Sequence, residues 1–280
     1  MNRSNPYVIG GESPKLKKSV VAFIDILGYK QLVKKAYKNG NAESLLRRLH
    51  CALQESREHV DPSHADDFCD IRGKDFSAVS SFTDNIVLGY PTLFFGAEEL
   101  DQAFRKLSRF QMRLAIAGFF VRGGISVGDL YMDETVVYGY SLLEAYGAEG
   151  NDAIVPRIIL AKSAEKAVKK ELGYYPLKDN ETPHIQYISK DVDGKYYLDY
   201  LQTVITAEEY FSKKRDLKTH KEKIERQLKT SKTNKRIWDK YVWIAKYHNS
   251  FCEQCGDCKH LTIDIGDVKF PVRNSIIDKV

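Results

Sequence analysis

No stretch of the sequence approaches the roughly 18 uncharged apolar residues that a membrane-spanning helix needs. The N-terminal MNRSNPYVIGGESPK also lacks the apolar centre of a secretory signal. Together these absences predict a cytoplasmic protein with no membrane span. Cysteine is scarce: there are five, an odd count, and two of them are isolated. That excludes a disulfide framework and agrees with a reducing compartment. Internal repeats and low-complexity tracts are absent as well.

What remains is an ordinary globular composition. The 280 residues are 43% hydrophobic and 29% charged, enough for one large domain or a core domain with an extension. A net charge of +5 permits a polyanionic ligand without requiring one.

Periodicity and turn chemistry divide the chain. Residues 1–18 read as a flexible lead-in and 20–27 as a buried strand closed by Gly28. Helices are predicted over 29–38 and 41–59, and a polar loop over 61–75. Val79–Phe82 and Ile86–Leu88 flank Thr83-Asp84-Asn85, a β-hairpin with Asp84 at its tip. A helix over 97–118, a glycine-bearing strand over 121–128 and a partner strand in LYMDETVVYG follow. Next come a short helix (141–150), a strand (156–160), a helix (161–172) and a hairpin turning at Asp193-Gly194. This order predicts an α+β sandwich with a mostly antiparallel sheet and helices on one face. The predicted division is 1–18, 19–205 and a basic helical extension, 206–280. From Lys213 to Lys246 there are 13 Lys or Arg against four Asp or Glu.

In VVAFIDILGYK, residues 20–30, one carboxylate sits inside an apolar run. A buried carboxylate needs a partner. If the first strand neighbours the hairpin, Asp25 and Asp84 converge, and two converging carboxylates call for a cation between them. Mg²⁺ is the natural one, because it takes oxygen ligands and leaves positions for phosphates. Gly28 and the helix start after it offer main-chain N–H groups to an anion, with Lys30 in the first turn and Arg157 as a second positive charge.

These residues carry a resemblance. FIDILGYKQLV resembles the first catalytic motif of class III nucleotidyl cyclases, and SFTDNIVLGY stands where those enzymes have a second metal-binding Asp on a hairpin. RGGISVGDL resembles the glycine strand that follows, and VVYGYSLLEAYGAE resembles the entry to the next helix. The resemblance covers residues 20 to about 165. It implies a ferredoxin-like, palm-type catalytic domain that converts a nucleoside triphosphate to a 3′,5′-cyclic mononucleotide and pyrophosphate with two Mg²⁺ or Mn²⁺ ions, in a head-to-tail homodimer. It also implies that Asp25, Asp84 and the Ile26 carbonyl are metal ligands. Ile26, Leu27, Gly28, Tyr29 and Lys30 would line the phosphates. The family's helix carries an Asn and, four residues on, a transition-state Arg. The corresponding places here are Leu143 and Gly147, so Arg157 or Arg122 is expected to substitute. Tyr29, where purine cyclases have Phe, resembles the pyrimidine cyclases of bacterial antiphage (Pycsar) signalling, whose products are cyclic UMP or cyclic CMP. Two alternatives stand beside this reading: a nucleotide-sensing domain without turnover, and a palm polymerase making cyclic oligonucleotides.

Two C-terminal features are open to a second reading. HNSFCEQCGDCKH offers His248, Cys252, Cys255, Cys258 and His260 as soft zinc ligands. A second, separated Cys pair is missing, so free thiols are the expected state. The basic helices carry an apolar stripe (Ile224, Leu228, Ile237, Tyr241, Ile244), which predicts packing with a solvated outer face rather than nucleic-acid binding. Trp238 and Trp243 read as packing anchors, for the dimer or the fold.

Overall fold

The computed structural model describes residues 5–8, 13–60, 78–92, 96–172, 185–266 and 274–275. The loop expected over 61–75 lies outside them. The fold is α+β. Its strands are β1 (Lys17–Ile26), β2 (Ala78–Phe82), β3 (Asn85–Pro91), β4 (Val121–Met132), β5 (Val137–Tyr138), β6 (Ile158–Leu160), β7 (Ile188–Lys190), β8 (Tyr196–Leu198) and β9 (Asn274–Ser275). They join in the order β2-β3-β1-β4-β6-β8-β7-β9, with β5 on β4. All pairs are antiparallel except β4 with β6. The helices are α1 (Tyr29–Lys38), α2 (Ala42–Val60), α3 (Ala97–Ile116), α4 (Tyr140–Asp152), α5 (Lys162–Leu172), α6 (Thr203–Thr206), α7 (Lys213–Ser231) and α8 (Lys235–Gln254).

Why β1 is apolar on both faces follows from its place in the sheet. It lies between β3 and β4, with helices on either side. Val20, Ala22, Ile24 and Ile26 enter the main core with Leu49 and Ala52 of α2, Leu100, Phe104 and Leu107 of α3, and Ala164 and Val168 of α5. Strand alternation sends Phe23 and Asp25 to the opposite face. There the Phe23 ring meets Tyr146 of α4 edge-on at 5.2 Å.

The expectation of helices on one face is therefore corrected. α4 covers the second face at β1 and β4. The close approach is made possible by Gly124, where a Cβ would lie 2.2 Å from the Ala145 carbonyl oxygen. Gly124 and Gly128 thus serve packing against α4, while Gly123 allows the close approach of β1. LYMDETVVYG also differs from its expected form, because Leu130–Met132 continue β4 and only Val137–Tyr138 fold back on it.

The C-terminal helices are not a separate layer. Ile159 of β6, Tyr197 of β8 and Met112 of α3 share one core with Leu217, Ile224, Tyr241, Ile244 and Phe251. The boundary expected at 205–206 runs through this core. Of the apolar stripe, Ile224, Leu228, Tyr241 and Ile244 are buried, and Ile237 packs partly buried against the same core. Trp243 stacks on Tyr247 and its indole N–H donates to Asp191 at 2.8 Å, so this anchor is used within the chain. At the other end Tyr7 is buried, and its hydroxyl donates to Ser19 at 2.8 Å. Part of the expected flexible lead-in is therefore docked.

Candidate active site

β1 pairs with β3 so that Asp25 faces Asn85, one residue from Asp84 in the turn. The Ile26 N–H donates to the Asp84 carbonyl at 3.1 Å, clamping the hairpin tip to the end of β1. The turn itself is constrained. Thr83 has φ +56°, unusual for a β-branched residue, and its hydroxyl lies 2.7 Å from Asp84 Oδ1. Asp25 and Asp84 are thus brought together as the sequence reading expects.

The structure also supplies the partner of Asp25. In the other ladder Asp25 faces Arg122 of β4. Arg122 Nε donates to Asp25 Oδ2 at 3.0 Å, and Arg122 Nη2 lies 2.7 Å from Glu149 Oε1 on α4. That second contact is an ion pair without a well-directed hydrogen bond, since Oε1 is buried and accepts none among the described residues. Burial raises the Asp25 pKa, the Arg122 hydrogen bond and charge oppose the rise, and the Asp84 carboxylate adds to it. Glu149 is likewise raised by burial, opposed by Arg122, with Asp25 and Asp84 contributing.

A cation from the C-terminal helices completes the group. Lys240 of α8 is half-buried and is held below the usual lysine range by burial, then by Arg122 and Arg236, while Asp25 and Glu149 pull the other way. Tyr241 beside it packs edge-on against Phe120 at 5.8 Å, and the Phe120 carbonyl accepts the Leu27 N–H at 2.8 Å. Sequence reasoning missed both Glu149 and Lys240. Glu149 lies two residues past Gly147, on a helix where the resemblance points only to an Asn and an Arg. Lys240 is one of 13 basic residues in its segment, with nothing local to distinguish it.

Arg157, expected as a second positive charge, is bound elsewhere. It is buried, with Nη1 on Asp191 and Nη2 on Asp193 of the β7–β8 turn and its guanidinium 5.9 Å from the Trp243 ring. Its contacts tie that hairpin to β6, and the structure brings Arg122 rather than Arg157 to Asp25.

The β1–α1 turn keeps its expected form. Gly28 has φ +72°, its carbonyl accepts from Gln31 and Leu32 at 3.0 Å, and no side chain caps the helix. Lys30 is exposed, Leu27 packs on the C-terminal core, and Tyr29 packs on the main core. On α4, Leu143 is exposed, and a Cβ at Gly147 would meet nothing beyond its own helix within 4 Å among the described residues.

The donor chemistry fits a hard divalent cation. Three carboxylates gather here, burial with neighbouring acids raises the pKa of Asp25 and of Glu149, one Glu149 oxygen is buried without a hydrogen bond among the described residues, and Arg122 offsets only one charge. Among the described residues no helix is long and apolar enough to cross a membrane.

No family model and no curated protein matches the chain. Solved structures with local likeness include the guanylyl cyclase Cya2, at 14% identity and a TM-score of 0.39, over 55% of this chain and 79% of that one. A class III adenylyl cyclase-like ATP-binding protein from Pseudomonas aeruginosa is 16% identical with a TM-score of 0.42, over 59% of this chain and 39% of that one. At this identity and overlap, the functional reading rests on the site itself.

Proposed function

We propose that the protein is a class III-type nucleotidyl cyclase acting on a nucleoside triphosphate. The observation that carries this reading is the meeting of Asp25 and Asp84, from a strand end and a hairpin tip, beside the turn at Gly28. In the reaction the ribose 3′-oxygen forms a bond to the α-phosphorus, the bond from that phosphorus to the bridging oxygen breaks, pyrophosphate leaves and the 3′-hydroxyl proton is released. Asp25 and Asp84 would hold Mg²⁺ or Mn²⁺, which would supply charge neutralisation of the triphosphate and acidification of the 3′-hydroxyl. Asp25 and Asp84, with the Ile26 carbonyl, are the proposed ligands. Residues 27–30 face the phosphates, and Arg122 and Lys240 supply positive charge from β4 and α8.

UTP or CTP is the proposed substrate, giving cyclic UMP or cyclic CMP as an antiphage signal. This rests on the resemblance at Tyr29, whose hydroxyl makes no hydrogen bond among the described residues. A homodimer is proposed because α4 leaves Tyr140, Leu143 and Tyr146 exposed, and Phe82 is exposed at the tip beside Asp84. Purified protein with Mn²⁺ and each of the four NTPs tests the reading by product mass. A cyclic mononucleotide with pyrophosphate supports it, a cyclic dinucleotide points to a polymerase, and no product from any NTP overturns it.

One observation favours a second reading, nucleotide binding without turnover. Arg122 occupies Asp25 Oδ2, and Leu143 and Gly147 stand where the resemblance expects Asn and Arg. Saturable NTP binding with no product would support it.

A further inference from the structure

The C-terminal thiols, expected to be free, converge. α8 ends at Gln254 and Cys255 caps it. Gly256 turns the chain back with φ +66°, and Cys258 opens a short 3₁₀ turn over Lys259–Leu261. The strand of chain that follows is fastened to α8. Asn249 donates to the Ile263 carbonyl at 2.8 Å and accepts the Ile263 N–H at 2.7 Å. This knuckle places Cys255 Sγ, an Asp257 carboxylate oxygen and Cys258 Sγ within 4.8 Å of one another, with Cys258 Sγ 3.7 Å from Asp257 Oδ1. Cys252 lies three residues before Cys255 on the same helix face and is fully buried.

We propose that Cys252, Cys255, Cys258 and Asp257 form a tetrahedral structural zinc site. With Zn–S bonds of about 2.3 Å, the ligand atoms of a tetrahedron are roughly 3.8 Å apart, so Cys255, Asp257 and Cys258 are already near that spacing and Cys252 would turn toward them as the fourth ligand. Three thiolates select a soft or borderline cation over Mg²⁺ or Ca²⁺. The missing second Cys pair is supplied by one continuous turn, because Gly256 reverses the chain within it.

The surroundings suit a bound, negatively charged complex. Lys213, the first residue of α7, lies 2.9 Å from Asp257 Oδ1 and hydrogen-bonds Cys255, offsetting thiolate charge. His248 Nε2 lies 3.5 Å from Cys252 Sγ and 3.1 Å from the Leu261 carbonyl, while its Nδ1 is 3.0 Å from His220 Nδ1. Both ring nitrogens are therefore taken, and His248 orients Cys252 instead of ligating. His260 is exposed. The ion would join the start of α7, the end of α8 and the returning chain.

The site is independent of the cyclase reading, and its test does not use activity. Protein purified anaerobically without chelator is expected to hold one zinc per chain by elemental mass spectrometry. Cys255→Ser and Cys258→Ser should lose it, and Cys51→Ser, at an exposed thiol remote in sequence, should keep it. Should the Ser variants fail to fold, cobalt substitution of the wild-type chain gives a second readout. Thiolate-to-cobalt absorption with tetrahedral d–d bands supports the site. Wild-type protein that carries no zinc and takes up none when reduced overturns the proposal. A Cys255–Cys258 disulfide in that preparation also overturns it.

Discussion

Arg122 and Asp25 face each other across adjacent strands, with the guanidinium Nε 3.0 Å from the carboxylate Oδ2. The arginine sits where an ion between carboxylates would compete with it. Removing it exchanges a fixed positive charge for a stronger demand for a mobile one. Arg122→Gln should bind Mn²⁺ more tightly, by about tenfold if the competition is worth ~1.4 kcal/mol. Turnover should fall in the same variant, because Asp25 and Glu149 lose the group that holds them. Calorimetric Mn²⁺ titration of wild type and variant separates the two effects; weaker binding in the variant would show that Arg122 assists the cation.

Asp84→Asn keeps a side-chain oxygen for the Thr83 hydroxyl, which lies 2.7 Å from Oδ1. The turn should therefore survive, and the thermal midpoint should stay within a few degrees of wild type. Activity should drop below detection because an amide binds a hard cation far more weakly than a carboxylate. An active Asp84→Asn protein would remove Asp84 from the metal site.

The convergence of Asp25 and Asp84 was legible because it is a local matter. A strand with one misplaced charge and a neighbouring hairpin with one acid at its tip suffice. Helix positions were legible through apolar spacing, as in Ile224, Leu228, Tyr241 and Ile244, all buried. The partners of the site were not. Arg122, Glu149 and Lys240 lie about 97, 124 and 215 residues from Asp25, and their meeting depends on the β1–β4 register and on where α4 and α8 settle. Arg157 misled for the same reason. Its sequence neighbours gave no sign of Asp191 and Asp193, which bind it.

Lys240 gives a prediction that separates binding from chemistry. It belongs to the C-terminal helices yet interacts with Asp25 and Glu149. Lys240→Met keeps the length and apolar stem of the side chain and removes the charge. If Lys240 meets the triphosphate, KM for NTP should rise about tenfold or more, with a smaller change in kcat, since such an interaction acts in ground and transition states alike. Unchanged kinetics would confine Lys240 to charge balance in the empty protein.

Gly124→Ala tests the packing that carries Glu149. The added Cβ would fall 2.2 Å from the Ala145 carbonyl oxygen and 2.8 Å from the Ala148 Cβ. Helix and strand must separate, and overpacking of this kind costs about 1–3 kcal/mol. α4 carries Glu149 with it, so denaturant stability and activity should fall together. Gly147→Ala on the same helix, where an added Cβ meets nothing beyond its own helix within 4 Å among the described residues, should leave stability unchanged or slightly improved.

The buried His220 predicts how stability depends on pH. Its Nε2 lies 2.8 Å from the Tyr200 hydroxyl and its Nδ1 3.0 Å from His248 Nδ1, with the Phe120 ring edge-on at 5.7 Å. His248 Nε2 faces the Leu261 carbonyl, which only accepts, so the network assigns that proton to Nε2. His248 Nδ1 then accepts from His220 Nδ1–H, and His220 Nε2 accepts from Tyr200. Every partner is satisfied with His220 neutral, and burial, followed by His248, holds its pKa well below 6.5. The unfolded chain takes up the proton near pH 6.5, so the stabilisation is complete above that value and declines as pH falls beneath it. His220 alone should cost about 1.4 kcal/mol by roughly pH 5.5. Urea midpoints measured from neutral to mildly acidic pH should show the decline, and His220→Asn, though less stable throughout, should show a shallower one. An equal slope in the variant would assign the acid sensitivity to other groups.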